Sequence, residues 1–129
     1  HDHAVGFFPL VDVEHVFQRH RFEIQFVAVD GQKLVGLAGC SADCDSMWQI
    51  GIDVLPEYRQ KGIASALTSR LAIETLSRGK VPFYCCAWSN IKSARNAIKS
   101  GFRPAWIEMT VKPANEVDEM NKIIKNVEL

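Results

Sequence analysis

The sequence lacks an excess of either charge: 15 Lys and Arg are matched by 15 Asp and Glu. Surfaces that hold nucleic acid or anionic membrane normally carry a basic surplus, so neither is expected as a partner. No apolar run approaches the roughly 18 residues needed to span a bilayer. The familiar phosphate-binding glycine patterns are missing too. There is no Rossmann GxGxxG, and Lys61-Gly62 has the wrong order for a Walker loop, GxxxxGK followed by Ser or Thr. Cysteine is sparse, with four at Cys40, Cys44, Cys85 and Cys86. Strand neighbours such as Cys85 and Cys86 point to opposite faces, and no second close pair completes a zinc set with Cys40 and Cys44. All four therefore read as small buried hydrophobes in a reducing compartment, the cytoplasm, and no metal is expected. His15 and His20 lie five apart, off one helical face, so they are not expected to form a metal-binding pair.

What is present suits one globular domain. The chain has 129 residues, 47% of them hydrophobic, enough to bury about two-thirds of its unfolded surface. It opens "HDHAVGFF", with neither Met nor a signal-peptide layout, so residues 1–129 are expected to form a single domain, the C-terminal part of a longer chain.

Periodicity supplies the element order. "DVEHVFQRH", Asp12 to His20, suits a short helix capped by Asp12. "FEIQFVAVDGQKLVGLAGC" holds two strand-like runs about Asp30-Gly31, a hairpin signal, and "MWQIGIDVL" is a third strand. From Gly62 the period becomes helical through Ile63, Ala66, Leu67, Leu71 and Leu76, until Gly79. "VPFYCCAWS" is a strand, and Asn90 caps the helix "IKSARNAIKS", which Gly101 ends. "RPAWIEMTV" reads as a further strand and "NEVDEMNKIIKNVEL" as a last helix. The fold class is mixed α/β, a central mixed sheet flanked by helices.

The stretch that carries chemistry is "IDVLPEYRQKGIAS", a strand running through a charged turn into a helix. A helix start presents unpaired N–H groups and partial positive charge, which makes it a ready anion site. Arg59 and Lys61 add positive potential, Gly62 lets the backbone approach, and Ala64 leaves the next turn unobstructed. On these residues alone, a solvated strand-to-helix turn with two surface charges is the plain alternative.

Over roughly residues 22 to 111 the sequence resembles the GNAT superfamily of acyl-CoA-dependent N-acetyltransferases. The pattern Q/R-x-x-G-x-G/A is matched by Arg59, Gly62 and Ala64, after a strand ending Val54-x-Pro56. A second pattern is matched downstream by Asn90, Ser93, Gly101 and Phe102. The resemblance implies a sheet with one splayed strand pair and acetyl-CoA as acyl donor. Its diphosphate would lie on the turn, from Gln60 and Lys61 through Gly62, Ile63 and Ala64 to Ser65. Its pantetheine arm would pair with Ile52 to Val54, and Asn90 and Ser93 would stand beside it. The acceptor would be an amine on a small molecule or peptide, and an upstream domain or a homodimer would supply elements the family usually has and this chain lacks.

The chemistry implied is direct attack of an amine on the thioester, with a main-chain N–H near Val54 or Leu55 polarising the carbonyl. Deprotonating a lysine-like amine at pH 7 costs about 4.6 kcal/mol, whereas releasing a thiolate costs about 2 kcal/mol. A base therefore matters more than an acid. Ala97 stands where the family often places a Tyr acid, leaving Ser89, Ser93 or water for that proton. Trp48 stands near where some relatives carry a Glu base, so Asp53, the only carboxylate within the strand, is the candidate catalytic residue, ahead of Glu57 and Glu108. Phe83, Tyr84, Trp88 and Trp106 are candidates to line an acceptor pocket. The departures at Ala97 and Trp48 keep open an alternative, a non-catalytic acyl-CoA-binding sensor or interaction module.

Overall fold

The structure, a computed structural model, describes residues 22–126. The expected helix at Asp12 to His20 lies outside the described residues. Among the described residues, four strands form one sheet in the order β1-β2-β3-β4. β1 (Ile24–Asp30) and β2 (Lys33–Ser41) are antiparallel, as are β2 and β3 (Met47–Val54). The long helix α1 (Ile63–Ser77) crosses over to β4 (Val81–Tyr84), which runs parallel to β3. Two more helices follow, α2 (Ile91–Lys99) and α3 (Ala114–Asn126). No described helix is long and apolar enough to cross a membrane.

The core lies between the sheet and α1. Strand alternation sends Ala38 and Cys40 of β2, and Trp48, Ile50 and Ile52 of β3, to one face, where they meet Leu67, Leu71 and Ala72. Leu71 and Ile50 are wholly buried, each contributing about 1.5–3 kcal/mol by leaving water. Gly36 fixes how closely the start of α1 approaches. A Cβ there would lie 3.1 Å from Leu67 Cδ1 and 3.2 Å from Ile63 Cγ2, so this glycine seats the mouth of the helix against β2.

Three features differ from the sequence reading. The hairpin loop is Gly31-Gln32, because Asp30 already pairs with Lys33 as the last strand residue. A register shift between Ala28 and Val29 accompanies it. The run "RPAWIEMTV" forms no strand, and Ile107, Met109 and Val111 are exposed. A strand-like pattern needs a partner ladder, and Pro104 removes one donor from the segment. Cys44 is exposed, receiving the Met47 N–H on its sulfur at 3.3 Å, while Cys40 is buried as expected and Cys85 and Cys86 are half-buried.

Candidate functional site

After Val54 the chain makes a short 3-10 turn, Pro56–Tyr58, closed by Tyr58 N–H to Leu55 O at 2.9 Å. Gln60 and Gly62 then adopt left-handed backbone, with φ of 60° and 82°. The two reverse the chain so that α1 begins at Ile63 with Gly62 as its cap and no side chain over its end. The first intrahelical bond is Ala66 N–H to Gly62 O, at 3.0 Å. The N–H groups of Ile63, Ala64 and Ser65 therefore find no acceptor among the described residues, and they share the helix's partial positive charge. Successive N–H groups around left-handed residues form an anion-binding concavity. Nothing lies within 4 Å of where a Gly62 Cβ would stand, so it is the positive φ, not crowding, that calls for glycine there.

The turn is latched to the tip of the hairpin. Tyr58 Oη donates to Asp30 Oδ2 at 2.7 Å, and Lys33 Nζ to Glu57 Oε1 at 2.9 Å. Lys33 and Lys61 lie over the Tyr58 ring, 5.4 and 5.2 Å from its centre. Arg59 turns inward: its Nε donates to Val54 O at 2.9 Å and its guanidinium stands 3.8 Å from Asp53. It thus ties the turn to the end of β3 while still lining the depression in front of α1.

That depression encloses about 190 Å³ between α1 and α2. The expected Val54, Arg59, Gln60, Gly62, Ile63, Ala64 and Ser65 come together around it. Tyr58, Lys92, Arg95, Asn96 and Lys99 join them, and the sequence reading missed these five. A signal existed for three of them, since Lys92, Arg95 and Lys99 follow one helical face at i, i+3 and i+7. Lys61, Ile52, Asn90 and Ser93 do not line it.

Beside the depression the sheet opens. β3 and β4 pair only from Met47 with Val81 to Ile50 with Tyr84, so β3 continues past its parallel partner. The β3 register stays regular against β2, so the strands part because β4 stops, with no bulge in β3. Leu55 N–H bonds Val35 O at 2.9 Å, which fixes the alternation: Asp53 and Leu55 turn their main chain to β2, while Ile52 and Val54 turn theirs to the opened side. Leu55 is therefore unavailable as a polarising N–H. Val54 N–H faces the opening but lies 2.9 Å from Asp53 Oδ1. Asp53 is buried on the sheet face opposite Ile52 and Val54.

Asn90 caps α2, its Oδ1 accepting from Ser93 N–H at 3.1 Å, while its buried Nδ2 has no partner among the described residues. Ser93 Oγ shares a 2.8 Å bond with Tyr84 Oη. Asn96 Nδ2 donates to Thr68 Oγ1 at 3.1 Å and reaches Tyr84 Oη at 3.4 Å. Thr68 in turn donates to Ala64 O at 2.7 Å, so this buried polar chain binds α2 to the first turn of α1. Burial pushes the Tyr84 phenol up, against its bonds to Ser93 and Asn96, and pushes the Cys86 thiol up likewise. Of the aromatic candidates, Phe83 and Trp106 stack at 5.8 Å, and Trp88 is 83% exposed.

No curated protein sequence matches the chain. Among solved structures it is similar to the aminoglycoside N-acetyltransferase AAC(6')-Iy in complex with CoA, at 24% identity and TM-score 0.61, over 81% of this chain and 84% of that one. It is similar to a GNAT-family protein from Novosphingobium aromaticivorans, at 26% identity and TM-score 0.57, over 61% of this chain and 36% of that one. It also resembles the aminoglycoside 6'-N-acetyltransferase AAC(6')-IG of Acinetobacter haemolyticus, at 16% identity and TM-score 0.59, over 78% and 77%. The family model for GNAT acetyltransferases matches residues 17–105, more than half of the sequence and all of the site just described, and the chain belongs to that family.

Proposed function

We propose that this protein transfers an acetyl group from acetyl-CoA to a primary amine of a small molecule or peptide by direct attack. The observation that carries the reading is the mouth of α1, where three unpaired N–H groups sit beside an opened strand pair. A diphosphate fits those donors, since charge-assisted bonds to main-chain N–H groups are the strong kind. An extended arm with amide groups fits the main chain that Ile52 turns to the opened side, and that of Val54 once Asp53 and Arg59 give it up. The orphan Nδ2 of buried Asn90 fits an arm carbonyl, because an unsatisfied buried donor costs about 1–3 kcal/mol until it finds an acceptor. Neighbouring structures solved with CoA, and with a bisubstrate analogue joining CoA to an acetylneamine, support both the donor and an amine acceptor.

At the reacting end, Val54 N–H would polarise the thioester carbonyl once it exchanges Asp53 for substrate. Asp53 would then accept the amine proton, its contact to Arg59 being loose at 3.8 Å. Ser93, bonded to Tyr84, would return a proton toward the departing thiolate. Four cysteines without disulfides suit a reducing compartment such as the cytoplasm.

Two observations favour a second reading, a non-catalytic acyl-CoA sensor. The Asp53 carboxylate already contacts Val54 N–H and Arg59, and no tyrosine stands at Ala97. Incubation with acetyl-CoA and a panel of amines, following thiol release, separates the two. Turnover with any amine supports the transferase. CoA binding with no turnover across a broad panel leaves the sensor.

A further inference from the structure

The sheet has a second face, turned away from α1, and one place on it is open. Gly39 of β2 and Gly51 of β3 stand directly opposite each other in the ladder and share that face. Phe22 lies across Gly39, where a Cβ would stand 2.5 Å from its Cδ1. At Gly51 nothing among the described residues lies within 4 Å of where a Cβ would stand. Its φ is not positive, so the backbone does not call for glycine there. A glycine inside a strand marks a bulge, a bend, or the close approach of a ligand or another backbone. β3 keeps a regular register against β2 through Gly51, and no described backbone comes near the position. A ligand remains.

The surroundings say which kind. Gly51 is the first residue of β3 beyond the last pair with β4, Ile50 with Tyr84, so the open place adjoins the parting of the strands. On the other face Ile50 and Ile52 are packed with Leu67 and Leu71 of α1, so an acceptor reaches the parting from the Gly51 side. Two residues back, about 7 Å at the rise of a strand, Gln49 pairs with Phe83. The Phe83 ring packs on Trp106 at 5.8 Å between centres, and Trp106 Nε1 donates to Glu108 Oε1 at 3.0 Å, which orients the indole. Two residues on from Gly51, Asp53 stands on the same face. The row along β3 thus runs from an aromatic pair, over an open glycine floor, to the carboxylate proposed above for the amine proton.

A polycation has little to meet here. Asp53 already contacts Arg59 and Val54 N–H, and Glu108 is engaged by Trp106. The Cys85 thiol is pushed up by burial first and by the Glu108 carboxylate next, so it stays neutral at pH 7 and adds apolar wall.

We propose that Gly51 floors an acceptor trough, bounded by Phe22 and by the Phe83–Trp106 pair, that selects arylalkylamines, primary amines on a flat apolar body, over polycationic amino sugars. The proposal rests on the transferase reading above and names its acceptor class.

The test compares kcat/KM of the full chain for 2-phenylethylamine, ethylamine and neamine with acetyl-CoA, following thiol release. 2-Phenylethylamine should exceed each of the other two by about tenfold or more. Valine suits a strand and meets no described neighbour at position 51, so Gly51→Val should melt no lower and bind coenzyme A within about twofold. In that variant the preference for 2-phenylethylamine over ethylamine should fall to about twofold or less, through a higher KM for the larger amine. Trp106→Ala, at a half-exposed position, should lower the preference about threefold, again through KM, and serves if the first variant does not fold. Neamine used as well as 2-phenylethylamine overturns the proposal and leaves the transferase standing. A preference that survives both substitutions overturns it too. Coenzyme A binding with no turnover of any of the three also overturns the acceptor class, and the broad amine panel then decides whether the transferase falls with it.

Discussion

The two ends of the opened cleft are built from different material. At the mouth of α1 the donors are main-chain N–H groups, aimed by the φ of Gln60 and Gly62 and surrounded by cations. Past the end of β4 the groups are side chains, Asp53, Ser93, Tyr84 and Asn90, and nearly all are engaged with protein partners. Main-chain donors need only the correct turn, so they depend on a glycine and little else. Side-chain chemistry depends on which face a strand presents and what packs against it. On the proposed function the first is the binding end and should fail abruptly on a backbone change, and the second is the reacting end and should fail by degrees as single partners are removed.

The largest effect is expected from Gly62→Glu. It forces a side chain into positive φ and sets a carboxylate before the unpaired N–H groups, so calorimetry should detect no coenzyme A binding. Retained affinity would dissolve the distinction between the two ends. Asp53→Asn probes the other end. As the proposed proton acceptor it should be worth about 100-fold or more in kcat, with coenzyme A affinity within about threefold. A change in affinity alone would make Asp53 a support for Val54 and Arg59, moving it to the binding end.

A smaller effect is expected for Asn90→Ala, which sits between the two. Losing the cap should cost about 1 kcal/mol in chemical denaturation, and losing Nδ2 should weaken coenzyme A about three- to tenfold. Stability loss with unchanged affinity would leave Asn90 a cap and nothing more.

The smallest is a pH effect at Tyr84. Burial raises this phenol in the folded state, so its contribution is intact below the unfolded value near 10 and is lost as pH rises through the higher folded value. Thermal melts should show Tyr84→Phe about 1 kcal/mol less stable at neutral pH, through its lost bonds to Ser93 and Asn96. Its melting temperature should fall less steeply than that of the unmodified protein above pH 10. Parallel profiles for the two proteins would remove Tyr84 from the alkaline transition.

The same division governs what could be read from residues alone. The turn was legible because proline, glycine and the change from period 2 to period 3.6 are local signals, and Asn90 as a cap is local as well. The basic rim was present as a helical stripe, yet nothing local says that Asn96 and Ser100 press that helix onto α1. "RPAWIEMTV" has strand composition, but whether it pairs depends on an edge elsewhere in the chain. Leu55 was a reasonable N–H donor by position, and only the ladder to Val35 shows it occupied.

The latch at the hairpin tip has a kinetic corollary. With Asp30 gripping Tyr58 and Lys33 gripping Glu57, the seat proposed for the diphosphate is assembled before any visitor arrives. A ligand then loses little affinity to the ordering of a loop, and its capture rate should track diffusion and the local field more than any slow rearrangement.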